Sequence, residues 1–386
     1  MASGGGLKAY FFHIGVGMRL QEEGFNFKGG VLEDSETVLR SNSKRDQGNK
    51  DIELYVGSSG GSLFGMSVAM GYLPDQLLQL FQDDSKMKQT GLERGLINYI
   101  GLNSQAAKEF LKGMKRVLSD GLNPETILFP MSPLNLVPLE KRLHNFLGTE
   151  DFTRLAADLF VVTTPLNFPG RIIYCRKQFE KNEGIVYRND ATISATVAGS
   201  CSLQFLHPAC IRHKNGENID VVDGETRKTL SYKIAGDNGA DLVFVSYTHV
   251  PYNFNIVRGS LKKYGIVRVA IQSIYLMIEE KILSSQKSNV SKNFAYDAVE
   301  ETFERLNKEL PDKKDLLNKY KETLLADLVR ELDIKRNVDY VFISPDIEDD
   351  NFYFDWHLGM SKDYVERIAK KGYEAADRVL QGYEFR

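Results

Sequence analysis

The sequence predicts an α/β protein. Short apolar runs rich in β-formers alternate with segments of helical periodicity, and glycines punctuate the junctions between them. From the amino terminus, MASGGG leads into a helix expected over 8–23, where Phe11, Ile14 and Met18 recur at helical spacing and Gly24 stops it. Residues 25–32 suggest a connection and short strand, and the polar stretch 34–51 reads as an exposed loop. A strand over 53–56 runs into the turn 57–61, and a helix follows from Ser62 to the stop at Gly71. Pro74 is suited to open a further helix carrying Leu77, Leu78 and Phe81.

The stretch 83–150 reads as helical and loop-rich. Strands are expected over 159–164 and 171–175, joined by a turn at Pro169 and Gly170, then over 218–222, 241–246 and 340–344. The carboxy-terminal third is mostly helical, with amphipathic periodicity over 316–332 and 364–380. An apolar stripe over 264–283, with Ile266, Val269, Ile271, Ile274 and Leu276 and with Lys262 and Lys263 at its start, is expected in the core, with an interfacial helix as the alternative. No linker divides the chain. A single domain over 1–386 is expected, with a catalytic core at about 1–250 and a mostly helical part at about 251–386 packed on it.

A chain of 386 residues, 42% hydrophobic, can bury a large core. Its net charge of -3, with interleaved signs, supplies no field to draw in nucleic acid. Cys175, Cys201 and Cys210 form no CxxC pair, which argues against a disulfide framework or zinc site and suits packed thiols in a reducing compartment. No apolar run approaches ~20 residues and no leader pattern opens the chain. A soluble cytoplasmic protein is expected, with membrane contact at most peripheral. His207, Arg212, His213 and Lys214 make a modestly basic patch that reads as solvated surface, with membrane contact as its functional alternative.

Three short segments carry the chemistry. In Gly57-Ser58-Ser59-Gly60-Gly61 a serine sits on a tight strand-to-helix turn that would expose its hydroxyl. The helix behind it aims free N–H groups at developing negative charge. Gly4, Gly5 and Gly6 open a helix and bring backbone amides close enough together to hold an oxyanion or phosphate. Asp223, followed by Gly224, ends a strand in apolar company, where desolvation would raise its pKa toward that of a useful base. Taken singly, each segment also suits an ordinary turn or terminus.

The order of these segments resembles the patatin-like phospholipase family. SGGGLKAYFFHIGVGMRLQEEG is similar to that family's opening glycine loop and helix, and GSSGGSLFGMSVAMGYLPDQLLQLF to its elbow, helix and following turn. ISATVAGSCSLQFLHP resembles the stretch before its aspartate, GADLVFVS the strand after it, and SKDYVERIAKKGYEAADRVL its closing helix. The resemblance implies a three-layer α/β/α fold with a mainly parallel central sheet. It also implies a Ser59–Asp223 dyad without histidine, an oxyanion hole from Gly4, Gly5 and Gly6, and Gly57, Gly60, Gly61 and Gly224 as supporting turn residues. Lys8 stands at the family's Lys/Arg position, where its charge would orient the loop or a substrate phosphate. The implied substrate is a phospholipid or other acyl ester, cleaved through an acyl-enzyme by phospholipase A or lysophospholipase action. No cofactor or metal is implied, and an activating protein or ligand is left open.

This chain departs from the family pattern at Ala9, at Glu225, and in having only residues 1–3 before the glycine loop, so the strand the family places there is expected to be absent. A carboxylate at Glu225 would either raise the Asp223 pKa or point to solvent. Three other readings stay open. A Ser, Asp, His triad would use His249 or His357. A broad carboxylesterase or thioesterase would act on soluble acyl groups, and a catalytically weak binding protein would use the altered motifs without turnover. His13 reads as packing.

Overall fold

The computed structural model describes residues 1–33, 50–104, 107–108, 111–112, 115, 119, 132–182, 184–203, 206–335, 337–355 and 360–385. Residues 34–49 of the loop read over 34–51 and the triad candidate His357 lie outside them, while Asp51 pairs in parallel with Asn26. Strand β1 (Leu54–Gly57) pairs in parallel with β2 (Asp158–Pro165), which is flanked by antiparallel β3 (Arg171–Tyr174). Strand β4 (Ile185–Arg188) runs parallel to β3. The hairpin β5 (Ala209–Arg212) and β6 (Asn218–Val222) joins the far end of β2 in antiparallel register. Strands β7 (Leu242–Ser246) and β8 (Asp339–Ile343) form a parallel pair.

The sheet is mixed: the β1–β2, β3–β4 and β7–β8 pairs are parallel, whereas β2–β3, β2–β6 and β5–β6 are antiparallel, so the mainly parallel sheet expected is met only in part. The cause is connection length. The turns between β2 and β3 and between β5 and β6 are too short for the crossover a parallel neighbour requires.

The expected loss of the strand before the glycine loop is corrected as well. Ala2 pairs in parallel with both Gly57 and Ser246, so residues 1–3 fill the end of the slot between β1 and β7. Four backbone hydrogen bonds hold them: Ala2 N–H to Val56, Ser3 N–H to Ser246, Ser58 N–H to Ala2 and Ser246 N–H to Met1. Beside Ala2 the slot opens into a cavity of about 170 Å³ lined by Leu54, Val56, Leu242 and Phe244.

Alternation along the strands feeds two cores. Tyr55, Leu159, Val161, Ile172 and Tyr174 join one, and Val56, Phe160, Val162, Ile173 and Cys175 join the other. Helices α1 (Gly6–Glu22), α2 (Gly60–Ala69), α3 (Pro74–Gln82) and α4 (Ile193–Ser200) contribute to the first. So does α6 (Lys362–Leu380), which lies along α1. The second is covered by Ile234 and Ala235 and by Ile278 and Ile282 of α5 (Gly265–Glu309). Among the described residues, no helix is long and apolar enough to cross a membrane.

Two sequence expectations fail on burial. The stripe over 264–283 becomes the first turns of α5, where Ile266, Val269, Ile274, Leu276 and Met277 stand exposed and, among its described side chains, Ile278 and Ile282 reach the core. Periodicity identified an apolar face without revealing what covers it. The basic patch is likewise not wholly surface, since His213 is buried with its Nε2 3.0 Å from the Tyr174 hydroxyl.

Helices α1 and α6 approach closely because glycines face backbone. A Cβ on Gly15 would sit 1.7 Å from the Ala369 carbonyl oxygen, and one on Gly372 would sit 2.0 Å from that of Phe12. The Arg19 to Asp377 ion pair, at 2.8 Å, ties the same two helices. In an open helix Gly→Ala would stabilise by about 1 kcal/mol. Gly372→Ala should instead lower stability by ~2 kcal/mol or more, through overpacking. Chemical denaturation measures this, and an unchanged or raised midpoint would refute the close-approach argument.

Candidate active site

Strand β1 ends at Gly57, and α2 begins at Gly60 with Ser59 as its N-cap. Ser59 takes φ 50° and ψ -129°, a backbone state that costs a non-glycine residue roughly 1–3 kcal/mol and persists only where its surroundings hold it. Ser200 does part of that holding. Its Oγ accepts the Ser59 amide at 2.9 Å and donates to the Val162 carbonyl at 2.7 Å. The serine is thus fixed between the elbow, the central strand β2 and helix α4.

Asp223 follows β6 directly, as the sequence predicts, and is buried. Its amide donates to the Ser202 carbonyl at 2.7 Å, and a Cβ on Gly224 would sit 2.2 Å from the Val162 carbonyl oxygen and 3.1 Å from the Ser58 Cβ. Asp223 Oδ1 accepts the Glu225 amide at 2.8 Å, while Oδ2 is buried with no hydrogen-bond partner among the described residues. Burial raises the Asp223 pKa to about 7. The Glu225 amide and the Ser59 hydroxyl oppose that rise, and the Glu225 charge adds to it. Ser59 and Asp223 are therefore neighbours: the hydroxyl lies near enough to act on the carboxylate without closing a hydrogen bond of ordinary length.

The glycine loop stands against the same pair. A Cβ on Gly4 would meet the Ser59 Cβ at 3.0 Å and its Oγ at 3.5 Å. Gly5 has φ 127°, and a side chain there would run into Thr248 Oγ1, which donates to the Gly4 carbonyl at 2.9 Å. The amides of Gly5, Gly6 and Gly60 have no acceptor among the described residues. The Gly4 amide differs from the expectation that named it with the other two, because it already donates to Glu225 Oε1 at 3.1 Å.

Glu225 does not point to solvent. It is buried, takes a hydrogen bond from the Ser58 hydroxyl, and accepts the Leu230 amide at 3.2 Å. Burial raises its pKa. Sequence reasoning did not find Ser200, Thr248 or this bracing by Glu225. Only the Glu225 departure from the family pattern signalled anything, and it signalled a charge rather than a set of bonds.

Lys8 is placed elsewhere. Its ammonium donates to the Phe352 carbonyl at 2.9 Å and lies 4.3 Å from the centre of the Phe352 ring. Burial lowers its pKa to about 7, against the pull of Asp355. The lysine therefore anchors α1 to the carboxy-terminal part instead of facing a substrate phosphate. His13 is a buried strut, as its packing reading has it. Burial lowers its pKa to about 4, so the neutral ring donates through Nε2 to the Ser3 carbonyl at 2.9 Å and accepts from the Ser246 hydroxyl at 2.7 Å.

His249 packs edge-on against Tyr275, and burial with the Lys8 and His13 charges lowers its pKa to about 3. Among the described residues no hydrogen bond links it to Ser59 or Asp223, and its Nδ1 has no partner. Cys201 lies 4.0 Å from the Ser62 hydroxyl, and burial raises its pKa well above the ordinary thiol range. Among the described residues no group of three His, Cys, Asp or Glu side chains is placed to hold a metal ion.

Chemically, a hydroxyl on a strained turn, a buried carboxylate with an open oxygen, and unpaired glycine amides form a constellation suited to acyl transfer. No curated protein matches the chain. Residues 1–235, which contain the glycine loop, the elbow and the Asp223 turn, match the family model described as patatin-like phospholipase. That match spans well over half of the sequence, and the chain belongs to the patatin-like phospholipase family.

Proposed function

We propose that the protein is a serine lipid acyl hydrolase of the phospholipase A or lysophospholipase type, with Ser59 as nucleophile and Asp223 as its base. The observation that carries this reading is the buried carboxylate, its pKa near neutrality and one oxygen open, beside the hydroxyl of a strained strand-to-helix turn. Asp223 Oδ2 takes the Ser59 proton as Oγ attacks the ester carbonyl carbon. The tetrahedral oxyanion is met by the Gly5 and Gly6 amides at the positive end of α1. The carbon–oxygen bond to the alcohol then breaks, and the leaving oxygen takes the proton back from Asp223. Water repeats the sequence on the acyl-serine, gives its proton to Asp223, and releases the fatty acid with Ser59 restored. Residues beyond 235 take part in the same unit on this reading, since β8 pairs with β7 and α6 packs on α1.

Ser59→Ala should abolish turnover of both a short-chain nitrophenyl ester and phospholipid vesicles, together with labelling by a fluorophosphonate. Asp223→Asn should lower kcat by ~10²–10⁴. In the unaltered protein kcat/KM should climb with pH through about 7, since only ionised Asp223 accepts the proton. Full activity in either variant, or a profile flat across neutrality, contradicts the dyad. Activity on the soluble ester alone would instead favour a carboxylesterase.

Stability supplies a separate test. Asp223 has a folded-state pKa above its ordinary 3.8, so its contribution is intact below that value and is lost as pH rises through about 7. The loss amounts to at most about 4 kcal/mol. Asp223→Asn should therefore keep its denaturation midpoint on the alkaline side of neutrality better than the unaltered protein does. An equal loss in both would show that Asp223 is not the buried charge responsible. Glu225→Ala removes a like charge from Asp223 and frees the Gly4 amide, so the midpoint of the pH–rate profile should move down. An unmoved midpoint means the two carboxyls do not communicate.

A further inference from the structure

Between Asp241 and Glu279 the sequence holds four cations, Arg258, Lys262, Lys263 and Arg268, and no acidic residue, within a chain of net charge -3. This same stretch carries the most exposed large apolar side chains of the described residues, Ile256 at 91% and Val257 at 92%, with Ile266 at 85% and Phe254 at 73%.

The exposure is built into an ordered turn. Tyr252 exchanges two hydrogen bonds with the Gln272 side chain, both at 2.9 Å, and its hydroxyl donates to the Gly259 carbonyl and accepts the Asn255 amide. Asn255 Oδ1 caps the Val257 amide at 2.7 Å, and Asn255 Nδ2 engages Asp350, an acidic side chain from a distant stretch of the chain. Backbone polar groups are thus tied inward while apolar side chains face out. Ile266, Val269, Ser273 and Met277 extend the patch along one face of α5 at spacings of three and four residues, and Glu279 and Glu280 end it.

We infer that the turn around 254–257 and the first turns of α5 form a docking surface for an anionic phospholipid bilayer. Apolar tips enter the acyl boundary, and Lys262 and Lys263, both exposed, meet the headgroups. Wide apolar exposure with a cationic rim and no acidic residue in sequence is the pattern of an interfacial segment; a protein partner would leave the one-sided charge unexplained. The surface begins six residues after Thr248, whose hydroxyl holds the glycine loop, so docking would bring that loop toward lipid. The inference stands independently of the proposed chemistry.

The test uses the full chain carrying Ser59→Ala, so that no lipid is consumed. It is sedimented with sucrose-loaded vesicles of phosphatidylcholine alone and of phosphatidylcholine with phosphatidylserine. Binding is expected to the mixed vesicles. The double change Ile256→Asp with Val257→Asp should reduce it about tenfold or more. Lys262→Glu and Lys263→Glu should each reduce it at least about fivefold, the fold-change that corresponds to about 1 kcal/mol per cation at an anionic surface. In the background with Ser59 intact, these variants should melt normally and keep their turnover of a soluble ester.

Equal vesicle binding by parent and patch variants would overturn the proposal. So would self-association without vesicles that the Asp changes abolish, because the face would then belong to a second copy. Vesicle binding by a protein that hydrolyses nothing even with Ser59 present would sink the hydrolase reading and leave the docking surface standing.

Discussion

Three stretches of chain far apart in sequence meet on one buried carboxyl group, and the arrangement of the site depends on it. Glu225 takes hydrogen bonds from the Gly4 amide of the glycine loop, the Ser58 hydroxyl of the elbow and the Leu230 amide beyond β6. Leaving such a group buried without partners would cost several kcal/mol. The folded state avoids that cost only while loop, elbow and Asp223 turn stay in register around it. The same carboxyl raises the pKa of Asp223 next to it, so the brace that fixes the geometry also helps set the chemistry. Its partners do not face outward to a ligand, which makes Glu225 a positioning residue on the present reading.

The expected effects on pH dependence follow from residues that a sequence reading could name but not place. The elbow and the Asp223 turn were legible because each is a local event. A strand period gives way to a helix period across glycines, and an aspartate closes an apolar strand. Their meeting point was legible only through the order of segments along the chain. What escaped depends on single tertiary contacts. Ser200 and Thr248 act through one hydroxyl each on backbone atoms more than a hundred residues away, and serine and threonine are too common for that to leave a pattern. Residues 1–3 are too short for any strand signal, yet they find parallel partners on both sides. The α5 stripe failed for a different reason. An apolar face has the same periodicity whether it meets a core or solvent, and only the surrounding fold decides between them.

The mixed sheet has a similar origin. Alternating strands and helices suggested parallel neighbours, but two of the connections around β2 and β6 are too short for anything except an antiparallel return. This matters at the site, because the β5–β6 hairpin is what delivers Asp223 to the end of β2, beside the elbow delivered by β1, which pairs with the same strand. A strictly parallel arrangement would have needed a crossover helix in place of that hairpin.

Residues beyond the matched 235 also shape the glycine loop, by holding the helix it opens. Gly5 and Gly6 can serve as the proposed oxyanion donors only if α1 is fixed along its length, since a small rotation of the helix would re-aim their N–H groups. Three contacts resist that rotation. Lys8, in the first turn, is tied to the Phe352 carbonyl; Gly15 and Gly372 allow α6 to press directly on α1 backbone; and Arg19 pairs with Asp377 near the far end. Burying the Lys8 ammonium carries a desolvation penalty, visible in its lowered pKa, and a lysine placed for surface charge alone would not incur it. The carboxy-terminal helix thus acts at a distance on the oxyanion geometry proposed for this site. A change at the α1–α6 crossing should accordingly disturb turnover before it unfolds the protein, because the amides need only move by a fraction of a hydrogen-bond length to lose their aim.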